Sequence, residues 1–124
     1  MSERAYTVEI IESSREFSNK ERVNFKNMSD FVKLDDIAPC EIDVQDYVAL
    51  KIHNDRAKDN KDYNKYVIIS KDGTHYVTGS PSFWETFCDI MDDMASETEE
   101  WKLRVIKRDS KNREGKYFLT CCVV

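Results

Sequence analysis

The 124-residue chain has few of the residues that bend, staple or metallate a protein: three glycines, two prolines, two histidines and four cysteines. So little Gly and Pro excludes collagen-like and low-complexity chains and confines sharp turns to a few places. No apolar run approaches the ~20 residues that span a bilayer, and the polar start MSERAYTVE lacks the regions of a signal peptide. An intracellular chain, cytoplasmic and without membrane contact, is expected. Cys40, Cys88, Cys121 and Cys122 form no C-x-x-C pair; pairing belongs to secreted proteins, so buried free thiols are expected, with Cys121 and Cys122 on opposite faces of a strand. Zinc needs tetrahedral N or S ligands, and His53 and His75 stand at unrelated spacings, so neither a metal nor a cofactor is expected. P-loop, dinucleotide and metalloprotease motifs are missing as well. His53, beside Asn54 and Asp55, has the chemistry of a general base, but no Ser or Cys nucleophile stands in a recognisable context. The chain is read as noncatalytic.

What the sequence does contain is aromatic and charged. Six Phe, six Tyr and two Trp within a 40% apolar composition suffice for a core, and the length is that of one domain, residues 1–124. The formal charge of −5 is unevenly spread. From Trp101 to Val124, seven cations (Lys102, Arg104, Lys107, Arg108, Lys111, Arg113, Lys116) face two acids (Asp109, Glu114), a net of +5 that leaves −10 for the rest. Residues 79–100 hold seven acids and no Lys or Arg.

Periodicity supplies the elements. Residues 5–12 read as a first strand. Ser18 followed by Glu21 has capping-box spacing and predicts a short helix over about 19–26. Residues 29–40 fit either a strand or an irregular link, ended by Pro39. From Val44, the alternation of Val48, Leu50 and Ile52 with Tyr47, Ala49 and Lys51 predicts a half-buried strand. The polar stretch 53–62 then predicts a long loop. Tyr66–Ile69 and Thr74–Thr78 read as a hairpin about Asp72-Gly73, a pair that tolerates positive φ at both positions. Ser80 and Pro81 open a helix, with Ser82 and Glu85 as a second capping pair; Phe83, Phe87, Ile90, Met91 and Met94 form one apolar stripe to about residue 95. Two strands, from Trp101 and from about Lys116, close the chain around a basic turn.

This is a mainly β chain with one long helix, of class β or α+β. From Val44 the order strand, strand, strand, helix, strand, strand is that of the OB-fold, a five-stranded Greek-key barrel that binds oligonucleotides across its second and third strands and between two loops. Residues 44–124 would form the OB-like barrel, and 1–43 an N-terminal extension adding a strand and a short helix. The two loops, 53–62 and 109–115, carry Arg56, Lys58 and Lys61 in one and Lys111 and Arg113 in the other, with Tyr63 and Tyr117 beside them, Lys107, Arg108 and Lys116 in the same basic hairpin, and Tyr47 and Tyr76 on strands expected to share that surface. Cationic grooves with aromatic faces for base stacking are the composition of single-strand-binding sites.

The segments KDGTHYVTGSPSFWETFCDIMDDM (71–94) and RDSKNREGKYFLTCCVV (108–124) are similar to those of small proteins from phages of Gram-positive bacteria that bind single-stranded DNA or act in replication. The resemblance covers roughly the last eighty residues and implies an OB-type, DNA-binding role in phage replication or recombination. The chain ends in Cys-Cys-Val-Val where the usual bacterial single-stranded DNA-binding protein has a flexible acidic tail, so recruitment of partners through such a tail is not expected. A host or phage protein partner and homo-oligomers are left open. An alternative reading inverts the polarity: the acidic stretch 85–100, with Asp89, Asp92 and Asp93, imitates a phosphate backbone and blocks a host defence nuclease.

Overall fold

The computed structural model describes residues 6–56, 61–109 and 117–124. The expected first strand is β1 (Tyr6–Ser13), and the expected short helix is α1 (Asn19–Phe25). Both halves of the capping box form: the Glu21 amide donates to Ser18 Oγ at 3.2 Å and the Ser18 amide to Glu21 Oε1 at 3.1 Å. The ambiguous stretch resolves into β2 (Val32–Lys33), α2 (Leu34–Ile37) and β3 (Cys40–Ile42). After them come β4 (Val44–Asn54), β5 (Asp62–Ser70), β6 (His75–Thr78), α3 (Pro81–Asp93), β7 (Leu103–Asp109) and β8 (Tyr117–Val123). The loop expected over 53–62 is thus shorter, because ladder pairing continues as far as His53 opposite Asp62.

Two sheets form instead of a closed barrel: a five-stranded sheet in the order β1-β4-β5-β6-β2 and a three-stranded sheet β3-β7-β8. Closure would require β6 to pair with β8. The edge of the four-residue β6 is instead taken by β2, which runs parallel to it with Val32 opposite Tyr76 and Lys33 opposite Val77. The sheets are linked through the chain itself, since β3 pairs with β7 while β4, which follows directly, pairs with β5.

The five-stranded sheet is covered on both faces, which corrects the half-buried reading of β4: Val48, Ala49 and Leu50 are all buried. One face, with Ala49, Tyr66 and Ile68, packs against α3 and the inner row Leu103, Val105, Leu119 and Cys121 of the smaller sheet. On α3 the buried stripe is Phe83, Trp84 and Phe87, with Ile90 and Met91 packed beside it. Trp84 stacks on Tyr66 at 4.8 Å and on Phe87 at 4.9 Å between ring centroids. Ser80 alone caps α3, accepting from the Phe83 amide at 3.2 Å, and the helix ends at Asp93. The other face, with Val48, Leu50, Val67, Ile69 and Val77, lies under Phe17, Phe25, Met28 and Phe31. Arg15 fastens that covering segment by bonding Asp46 Oδ2 at 3.0 Å and Glu21 Oε2 at 2.7 Å.

In the β5–β6 turn only Gly73 has positive φ, at 91°. Asp72 works through its side chain instead, accepting from Ser70 Oγ and from the Thr74 amide, bonds that hold its carboxyl down to about 2. All four cysteines are free; Cys121 is buried and Cys122 exposed, as strand alternation requires. Cys40 and Cys88 are half-buried rather than buried.

Candidate nucleic-acid interface

Alternation along β7 and β8 sets up two rows. The inner row begins as core, with Leu103 and Val105 opposite Val123 and Cys121, and continues outward as Lys107 and Tyr117. The outer row is Arg104, Ile106 and Arg108 opposite Cys122, Thr120 and Phe118. Tyr117 keeps 49% and Phe118 43% of their surface exposed, so each face of the hairpin carries a large ring beyond the core. Lys107 Nζ lies 4.5 Å from the centroid of the Tyr117 ring, and Arg108 stands directly across from Phe118.

The cations of this hairpin are of two kinds. Close to the core, Arg104 pairs with Glu41 at 3.1 Å and Lys102 with Asp43 at 4.0 Å, acids of β3 and of the residue after it, not of the preceding helix. Towards the tip, Lys107 and Arg108 are exposed and form no ion pair among the described residues. Among the described residues, positive charge is therefore paired with acids at Lys102 and Arg104 and not at Lys107 and Arg108. Lys111, Arg113 and Lys116 lie outside the described residues, as does Lys58 of the other loop.

At the β4–β5 hairpin, His53 is held between two carboxylates: Nδ1 lies 2.8 Å from Asp62 Oδ1 and Nε2 2.6 Å from Asp55 Oδ1. Ionised carboxylates only accept, so both ring nitrogens must donate, which makes the ring an imidazolium. The Asp62 bond, then the Asp55 bond, raises its pKa above the ordinary histidine value. His53 thus fastens the base of a loop. Asn54 closes the same loop, its amide donating to the Lys61 carbonyl at 2.7 Å and its side chain accepting from the Arg56 amide at 3.0 Å. Arg56 and Lys61 are exposed, and Tyr63 is half-buried. Tyr63 shares a row with Lys65, Val67 and Ile69 on the sheet face that α1 partly covers.

The four tyrosines named from the sequence are not on one surface. Tyr47 packs edge-on against Phe87 at 5.3 Å and Trp84 at 5.8 Å, and Tyr76 joins the same core on the opposite sheet face from Tyr63. Burial is the first cause of the raised pKa of both. Phe118 was missed by the sequence reading, although its place in an all-apolar strand beside a basic turn was the available signal. The last described residues of β7 and of β4 leave the β3–β4 line in opposite senses. β7 is antiparallel to β3 and runs out past Cys40, whereas β4 runs the other way to Asn54.

Exposed rings with adjacent cations on a β hairpin are the equipment of a protein that stacks bases and neutralises phosphates without reading sequence. Residues 23–123 match the family described as phage single-stranded DNA-binding protein, and the chain belongs to that family. The match begins within α1, leaving β1 outside it. No curated protein and no solved structure matches the chain.

Proposed function

We propose that this chain is a noncatalytic, single-domain protein of the host-cell cytoplasm that coats single-stranded DNA during phage replication or recombination. Binding runs through the β7–β8 hairpin. Lys107, Arg108 and the sequence neighbours Lys111, Arg113 and Lys116 hold phosphates; Tyr117 and Phe118 stack bases. Arg56, Lys58, Lys61 and Tyr63 form the second contact. The observation that carries this reading is the pair of exposed rings, each beside a cation that no acid among the described residues neutralises. The succession of β4, β5, β6, α3, β7 and β8, with β3–β4 bridging the two sheets, supports an OB-like ancestry in which β2 occupies the edge that closure would use.

The acidic face of α3, with exposed Glu85, Asp89, Asp92 and Asp93, suits the alternative of a nuclease-blocking mimic, but family membership favours DNA as the ligand. The test is protection of a single-stranded oligomer from a single-strand-specific nuclease. The protein should protect it, and Lys111→Glu combined with Arg113→Glu should abolish protection while leaving the thermal melt unchanged. No protection by the unaltered protein refutes the reading, and capture of a host nuclease dependent on Asp89, Asp92 and Asp93 would establish the mimic instead.

A further inference from the structure

On the sheet face partly covered by α1, the rows of β5, β6 and β2 bring together two lysines distant in sequence. Lys65 of β5 and Lys33 of β2 line a pocket of about 310 Å³ floored by Met28 and Val77. Its end wall is the β6–α3 link, where Thr78 is buried at 3% exposure and Gly79 follows. A Cβ at Gly79 would come within 3.4 Å of Lys65 Nζ, so the absence of a side chain there leaves the ammonium group standing over bare backbone. The Thr78 side chain belongs to the opposite sheet face, across from Tyr66, and its hydroxyl oxygen accepts from the Ser80 amide at 3.2 Å. Asp35 is the one acid on the pocket wall, and neither lysine forms an ion pair with it or with any other described residue.

Two ammonium groups beside the exposed backbone of Gly79 are donors without an acceptor. We propose that this pocket is a phosphate subsite for the backbone of bound single-stranded DNA, with Lys33 and Lys65 as its cations. It rests on the single-stranded DNA reading and extends it: the DNA path passes Lys65, and Tyr63 lies two residues before it in the same row. Neither lysine was a candidate from the sequence. Lys33 lay in the ambiguous stretch, and its position beside Lys65 depends on the parallel β2–β6 pairing, which is non-local.

The test uses the full chain and a labelled single-stranded oligomer, with affinity measured against salt. Each phosphate contact on a single strand contributes ~0.7 to the slope of log affinity against log salt. The pair Lys33→Gln, Lys65→Gln should therefore lower the slope by about 1.4. Asp35→Asn should tighten binding, a gain that misfolding cannot imitate. An unchanged slope in the lysine variant, with the unaltered protein still binding, overturns the subsite and leaves the hairpin reading standing. If the lysine variant fails to fold, an unchanged affinity for Asp35→Asn overturns it as well. Inorganic phosphate, titrated while the Gly79 amide is followed by NMR, separates the sources: a shift there with an unchanged DNA slope makes the pocket a free-anion site and rejects the proposal. If the unaltered protein binds no single-stranded DNA, both readings fall together.

Discussion

Replacing Phe118 and Tyr117 with alanine, singly, should cost affinity for single-stranded DNA far more than stability, and by different amounts. Base-on-ring stacking contributes ~1–3 kcal/mol per base. Phe118 has no cation over its ring among the described residues, so Phe118→Ala should lose the whole term, roughly 5- to 150-fold in Kd. Tyr117 is already covered on one face by Lys107 at 4.5 Å. A base stacking on that face must displace a cation–π contact of ~0.5–1 kcal/mol, which leaves a net of about 0.5–2 kcal/mol, or roughly 2- to 30-fold. Since 43% and 49% of these residues are exposed, neither truncation should cost more than about 1 kcal/mol of stability. Anisotropy at several salt concentrations separates rings from charges, because losing a ring shifts affinity at every salt equally, whereas losing a phosphate contact changes the slope. Phe118→Trp should retain affinity, and Phe118→Leu, which keeps apolar surface without a π face, should not. Alanine variants within twofold of the unaltered protein, or a loss equal for Leu and Trp, would refute stacking at the hairpin.

Two further expectations follow from single side chains. Because His53 gains two carboxylate partners on folding, its folded pKa lies above the unfolded value. Its contribution is complete below about 6.5, the ordinary histidine value, and is lost as pH rises through the raised one. Thermal melts should show that alkaline loss, and His53→Gln should remove it; an identical pH profile in the variant would deny His53 the role of loop clamp. Phe87, fully buried against Trp84, Tyr47 and Phe83, should cost ~3–5 kcal/mol in urea unfolding when replaced by alanine, and a loss under about 1 kcal/mol would contradict the packing described.

Local signals were legible because their physics is local. Ser18 with Glu21 and Ser80 with Pro81 each dictate a helix start within one turn, and both caps form. The family resemblance of segments 71–94 and 108–124 was equally readable and agrees with the matched span. What escaped was non-local. Strand alternation tells which residues share a face, but not what covers it. Tyr47 and Tyr63 therefore looked equivalent until α3 claimed one face and residues 17–31 part of the other. The missing barrel closure has the same origin, since β2 is two residues long and only its pairing with β6 makes it a strand.

The most direct test compares single-stranded with duplex DNA, by anisotropy at low and at physiological salt, for the unaltered protein and for Lys107→Glu with Arg108→Glu. The account predicts single-strand binding that weakens with salt, much weaker duplex binding, and near-complete loss in the charge-reversed protein with its melt unchanged. Duplex binding as tight as single-strand binding, or full affinity after charge reversal, would contradict it.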